Sequence, residues 1–244
     1  MSGFLRRGPE CHERMLWFAD LGLIGYRECV NVQAEMHRRR LAGEIEDTLL
    51  LLEHKPVITL GTAGGEESLL AHSDDLAAAG IELVQTDRGG NVTYHGPGQL
   101  VGYPIFDLRR HGRDVHAFLR NLELAIIACL GDLGIAGETI PGLTGVWVGG
   151  DKICSIGIAV RKWISYHGFA LNVNPNFDHW SFIRPCGLAD RKVTSLERLL
   201  GYLPDMSIVK QRVVDKFAQV FGLEPVQLDP DRLIGTSIGR GIQI

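Results

Sequence analysis

Three stretches of the sequence bring together residue types that can do chemistry. Residues 88–99 read Arg-Gly-Gly-Asn-Val-Thr-Tyr-His-Gly-Pro-Gly-Gln. Gly89 and Gly90 allow positive φ and a close approach of a ligand to backbone N–H groups, and Gly96-Pro97-Gly98 sets a sharp turn directly after His95. A glycine pair alone is more often a hairpin whose polar residues only serve the turn. With Arg88, Asn91, Val92, Thr93, Tyr94 and His95 packed beside it, the stretch reads as a ligand loop. It is no phosphate loop: the glycine–lysine pattern of nucleotide hydrolases is absent, and the run from Gly96 to Val101 lacks the last glycine of the dinucleotide fingerprint.

The second stretch is residues 149–160. On a strand, Ile156, Ile158 and Val160 face one way and Ser155, Gly157 and Ala159 the other. The large side suits a core, and the small side leaves a channel for an acyl chain or a flat ligand. Most hairpin-tip lysines are simply solvated. Lys152, at the mouth of this channel beside Gly149-Gly150, can stay partly buried and act as acid or base. The third stretch holds Cys186 between Pro185 and Gly187, off any periodic element, where a chain turn presents the sulfur. A cation such as Lys152, or a histidine, would favour its thiolate. Cys11, Cys29, Cys129 and Cys154 read as small buried hydrophobes. The histidines show no paired metal-ligand spacing, no serine nucleophile elbow occurs, and Glu66-Glu67 and Asp74-Asp75 read as solvated surface.

The elements that must position these residues follow from periodicity. Strands are expected over 16–21, 48–52, 57–60 and 81–85, with a Gly-rich loop over 63–67 and a short helix over 74–80. A helix over 26–40 puts Tyr26, Cys29, Val30 and Gln33 on one side, with Arg38, Arg39 and Arg40 at the end where cations suit the dipole. Asp114 is a good N-cap for a helix carrying Val115, Phe118, Leu119, Leu122, Ile126 and Cys129 at helical spacing and ending at Gly131. Residues 145–174 turn to period two, broken at Gly149-Gly150 and over 161–166, which predicts three extended segments in hairpin succession. A last helix runs over 207–221, and 227–244 gives no firm signal. Strands come in groups with helices between the groups, so the expected class is α+β, one domain over 1–244 with a mixed sheet and flanking helices.

The chain has 244 residues, with 25 Lys plus Arg against 29 Asp plus Glu, and the net charge of −4 leaves no basic excess to grip nucleic acid. No apolar run reaches the ~18 residues of a membrane span. The mixed charges of residues 1–15 fit neither a signal nor a transit peptide. Five cysteines, an odd number without a paired motif, argue against a disulfide framework and fit a reducing cytoplasm. A monomer is the default expectation.

Taken together, these stretches closely resemble the lipoyl (octanoyl) transferases, which move an octanoyl group from acyl carrier protein to lipoyl-dependent proteins. The resemblance is carried by Asp20-Leu21-Gly22, by Leu52-Glu53-His54 with Pro56, and by Thr59-Leu60-Gly61. It continues through residues 88–98, Gly150-Asp151-Lys152-Ile153, residues 167–174 and Pro185-Cys186-Gly187, in family order over about residues 16–200. Lys55 and Ile58 depart from the family's more frequent proline and aromatic residue, which bears on packing beside the pocket. Residues 1–15 and the C-terminal tail lie outside the matching core. The resemblance implies the α+β fold shared by biotin and lipoate protein ligases, and no cofactor. It makes Cys186 the acyl-carrying nucleophile and Lys152 the group that lowers its pKa and serves as acid and base. The ligand loops are then Arg88 to His95, Ser155-Ile156-Gly157 and Gly168-Phe169-Ala170. The implied partners are acyl carrier protein, the lipoyl domains of 2-oxoacid dehydrogenase complexes, and the glycine cleavage H protein. Exchanging one thioester for another needs little driving force, and passing the acyl group to a lysine amine is downhill. Three other readings of the residues stay open: an ATP-dependent lipoate or biotin ligase, a cysteine thioesterase, and a non-catalytic module that docks lipoyl domains.

Overall fold

The computed structural model describes residues 14–64, 66–184 and 192–234. Its centre follows from the apolar run of β2 (Asp47–His54), which is buried on both faces and therefore cannot be an edge strand. On one side β2 pairs in parallel with β1 (Met15–Ile24), and on the other antiparallel with β6 (Gln99–Ile105). The sheet continues antiparallel through β10 (Ile164–Asn172), β9 (Asp151–Arg161), β8 (Leu143–Val148) and β7 (Glu138–Ile140), and β11 (Glu224–Gln227) closes the far edge beside β1. This is the mixed sheet expected.

Alternation along β2 divides the interior in two. Leu49 and Leu51 join Leu100, Ile156, Phe169 and Leu171 under α3 (Val115–Gly131) and α5 (Met206–Phe221). Leu50 and Leu52 join Val101, Tyr103 and Ala170 under α1 (Tyr26–Ala42). The N-cap of α3 is Asp114, whose carboxylate accepts from the N–H groups of His116 and Ala117. In α1 the inward residues are Cys29, Val32, Gln33 and Met36, while Val30, expected inward, is 36% exposed. The helix is rotated by a fraction of a turn from the expected face.

A second, three-stranded sheet covers part of the α1 side. Its order is β4 (Glu82–Gln85), β3 (Val57–Leu60), β5 (Val92–His95), with α2 (Ser73–Ala78) behind it. Ile58, Leu60, Leu76, Ile81, Val92 and Tyr94 form its core. The three extended segments expected over 145–174 are β8, β9 and β10. The break expected over 161–166 is narrower: Lys162 and Trp163, at φ 52° and 67°, form a two-residue hairpin turn with positive φ at both central positions. Not foreseen were β5, read as part of the ligand loop, and β6, β7, β11 and α6 (Pro230–Ile234), where no element was expected. The remaining described α-helix is α4 (Leu196–Leu200). Among the described residues no helix is long and apolar enough to cross a membrane.

Candidate active site

Between the two sheets lies a half-open cavity of about 350 Å³. Its floor is the α1-facing side of β9 and β10, where Ser155 stands opposite Ala170 and Gly157 opposite Gly168. Its roof is the stretch Gly89, Gly90, Asn91, Thr93 and His95. Along β9 the lining runs from Lys152, Thr144 and Val193 at one end to Tyr26, Tyr103 and His167 at the other.

Lys152 reaches this cavity by a break in alternation. By strict period two it would share a face with Cys154 and Ile156, both buried in the α3–α5 core. The β8–β9 register shifts so that Val146 opposes Cys154 while Trp147 opposes Lys152, leaving Ile153 as an extra residue. Such a bulge reverses the side-chain direction beyond it, so Lys152 turns to the cavity side. The side chain is only 7% exposed, its Nζ donates to the Thr144 carbonyl at 3.2 Å, and it sits 4.6 Å from the centre of the Trp147 ring. The Lys152 main chain is gripped as well: its N–H donates to the Lys192 carbonyl and its carbonyl accepts from Thr194 N–H.

The glycine-rich stretch is braced from within. The Arg88 guanidinium donates to the carbonyls of Thr59, Gly89 and Asn91 and to Thr59 Oγ1, all between 2.7 and 3.1 Å. These bonds shape the loop, and Arg88 also lines the cavity beneath it. Gly89 N–H donates to the Ile158 carbonyl, and a Cβ at Gly157 would stand 2.5 Å from the Gly89 carbonyl oxygen. Gly157 is therefore small because the loop crosses it. Gly168 is small for a similar reason, since a Cβ there would collide with the Gly102 carbonyl. Of the small residues expected to make room for a chain, Ser155 and Ala170 are those whose side chains face the open space. Ile156 and Phe169 contribute main chain to the wall while their side chains pack in the α3–α5 core, Phe169 with its ring centre 5.4 Å from that of Phe217. Val92 and Tyr94 belong to the small sheet's core, and Val92 also borders the cavity. Tyr94 is bonded through its hydroxyl to His179 Nδ1, and it is not among the cavity's lining residues.

His95 is fixed as a neutral acceptor. The Gln99 amide nitrogen donates to the carbonyl of Tyr94 and to Asn172 Oδ1, which leaves Gln99 Oε1 to accept from His95 Nδ1–H at 3.1 Å. Burial, aided by His54 and Arg88 nearby, pushes its pKa far below the ordinary imidazole value. Asn172 in turn donates to the Thr194 carbonyl, so this chain of amides ends on the segment that grips Lys152. His54, packed 5.8 Å from His95, donates to the Ile24 carbonyl, accepts from Tyr103 Oη at 2.7 Å, and is driven by burial down to about 4. The sequence reading missed Gln99, Asn172, Tyr103 and His54 as a connected group; the clustering of polar types on otherwise apolar strands was the available signal.

Cys29, Cys129 and Cys154 are buried, and burial raises each thiol, Cys129 to about 12, as suits packing residues. Cys186 and Cys11 lie outside the described residues.

This fold and this cavity define a class. The chain belongs to the family of lipoyl protein ligase A/B catalytic domains, whose family model matches residues 25–218. Within it, the chain is 50% identical to an octanoyltransferase of Caldicellulosiruptor saccharolyticus over 83% of its own length and 87% of the relative's. It is also 50% identical to an octanoyltransferase of a Roseiflexus species over 87% of its own length and 90% of the relative's. Its activity is acyl transfer in lipoate biosynthesis, octanoyl being the group moved. The fold is that of lipoate protein ligases. A bipartite ligase from Thermoplasma acidophilum superposes with TM-score 0.71 at 17% identity over 93% of this chain and 92% of that one. A lipoate-protein ligase A bound with ATP superposes with TM-score 0.68 at 15% identity over 93% of this chain and 95% of that one.

Proposed function

We propose that the chain transfers octanoyl from acyl carrier protein to a lysine of lipoyl domains through a thioester on Cys186. Lys152 serves as its acid and base. The observation that carries this reading is the turning of Lys152 by the β9 bulge. A nearly buried ammonium stands at one end of a half-open cavity, its main chain bonded to Lys192, six residues after Cys186. A cation beside the sulfur favours the thiolate that attacks the donor thioester. The leaving pantetheine thiolate takes a proton from the Lys152 ammonium. The resulting amine later removes a proton from the attacking lysine of the lipoyl domain. Cys186 then leaves as thiolate, so charge and protons balance over the cycle. Backbone N–H groups of the glycine-rich stretch are suited to stabilise the developing oxyanion, each worth about 3–4 kcal/mol.

The family acts on lipoyl domains; in this reading those of 2-oxoacid dehydrogenase complexes and the glycine cleavage H protein are acceptors, and the protein works in the cytoplasm as a single catalytic domain and a monomer. The ligand-contacting groups are Ser155, Ala170, Thr93, His95 and the main chain of Gly89 to Asn91. The test is transfer from octanoyl-acyl carrier protein to an apo lipoyl domain without ATP. Wild type is expected to turn over and Cys186→Ser to lose at least about 10³-fold. Undiminished transfer by Cys186→Ser, or transfer only with free octanoate and ATP, would refute it.

A further inference from the structure

The ammonium of Lys152 donates to the carbonyl of Thr144. The same peptide group carries the N–H of Gly145, and this N–H donates at 2.9 Å to Oε1 of Glu123 on α3. In a trans peptide the C=O and N–H point in opposite directions. A bond that draws the N–H towards α3 therefore aims the carbonyl at the cavity side, where Lys152 lies. Glu123 is fully buried on the apolar face of α3, between Leu122 and Ile126, and its second oxygen is paired with Arg120 at 2.5 Å. A carboxylate in that setting is costly unless its partners repay the lost hydration. The backbone at the joint is equally constrained: Gly145 has φ +128°, and a Cβ there would stand 2.6 Å from the Cys154 carbonyl and 3.2 Å from Lys152 Cε.

We propose that Glu123 is the positioning residue for Lys152, acting through the Thr144–Gly145 peptide to set where the lysine ammonium rests. This rests on the reading of Lys152 as acid and base. Glu123 never meets the substrate, and its effect passes through one peptide group. Leucine at 123 fills the apolar space but frees the peptide to rotate, so the carbonyl no longer holds the ammonium in line.

The experiment is a double-mutant cycle between positions 123 and 152. It reads single-turnover transfer by intact mass at high enzyme concentration, so that very slow variants stay on scale. Glu123→Leu is expected to lower the transfer rate constant about 10- to 100-fold, with KM for the acyl donor within about twofold. In the Lys152→Ala background the same substitution is expected to cost less than about twofold. Equal losses in both backgrounds, or no loss in the first, would overturn the proposal. Glu123→Gln keeps an oxygen that can accept from Gly145 N–H and is expected to recover most of the rate. If the leucine variant does not fold, Glu123→Met, which also fills the apolar space without offering Gly145 N–H a carboxylate, decides by the same criterion: a loss confined to the background that retains Lys152 supports the proposal, and an additive or absent loss contradicts it. Wild-type transfer by Lys152→Ala alone would refute the acid–base reading itself, and it shows before Glu123 is changed.

Discussion

A lysine in strict alternation with Cys154 and Ile156 would drive its ammonium among Phe118, Leu122 and the other side chains under α3, at a cost of several kcal/mol. The extra residue Ile153 avoids that cost and delivers the charge to the cavity instead. Lys152→Ala is therefore expected to slow acyl-enzyme formation on the order of 10²–10³-fold while leaving the melting temperature nearly unchanged; a rate within threefold of wild type would remove Lys152 from the chemistry. At the same scale, His54 makes stability depend on pH. Burial holds it near pH 4 against 6.5 for the unfolded chain. Below 6.5 the unfolded state takes the proton first, so the stability His54 contributes is complete above that pH. It is lost progressively down to about pH 4. At about 1.4 kcal/mol per unit the loss amounts to about 3 kcal/mol. Urea unfolding of wild type and His54→Gln from pH 7 to 4.5 should give curves that converge as pH falls, whereas parallel curves would contradict the assignment.

At the scale of elements, the roof is held to the floor by backbone against backbone, which makes Gly157 a sensitive point. Adding a methyl 2.5 Å from the Gly89 carbonyl forces the loop away from β9. Gly157→Ala should raise KM for the acyl donor about tenfold or more and cost about 1–3 kcal/mol of stability. Steady-state kinetics and thermal melting check this, and an unaltered KM would show the loop to be uninvolved. The same element shows why sequence reading stopped where it did. The alternation of Ile156 and Ile158 against Ser155 and Gly157 was legible because it is local. Gly157 was read as space for a chain, yet its reason is a carbonyl from a stretch nearly seventy residues earlier. β6 was missed because Gly102 and Pro104 look like strand breakers. In the fold, Gly102 makes room for the Phe169 ring, and near Pro104 the ladder to β10 has ended, with Ser165 Oγ donating to the Pro104 carbonyl and accepting from Phe106 N–H. The Lys152 bulge is a property of register between two strands, and no periodicity in β9 alone reveals it.

For the whole molecule, the arrangement separates two tasks. The large sheet, clamped by α3 and α5 on one face, is the rigid wall that fixes Lys152. The small sheet contributes the loop that closes the cavity. An apolar chain lying on Ser155 and Ala170 gains about 0.8 kcal/mol per buried CH₂. Hexanoyl donors should then fall about tenfold or more below octanoyl in kcat/KM, measured by direct competition, and equal use of both would mean that the chain is not buried. The broad class, α+β with a mixed sheet, was legible from the grouping of strands, whereas the pairing of the two sheets around a cavity depends on contacts that no local pattern encodes.

The most direct measurement is the intact mass of the protein after mixing with octanoyl-acyl carrier protein without ATP, followed by peptide mapping. The expected result is a gain of one octanoyl group on the peptide containing Cys186, discharged when an apo lipoyl domain is added. No adduct under these conditions, or an adduct that the lipoyl domain does not remove, would contradict it.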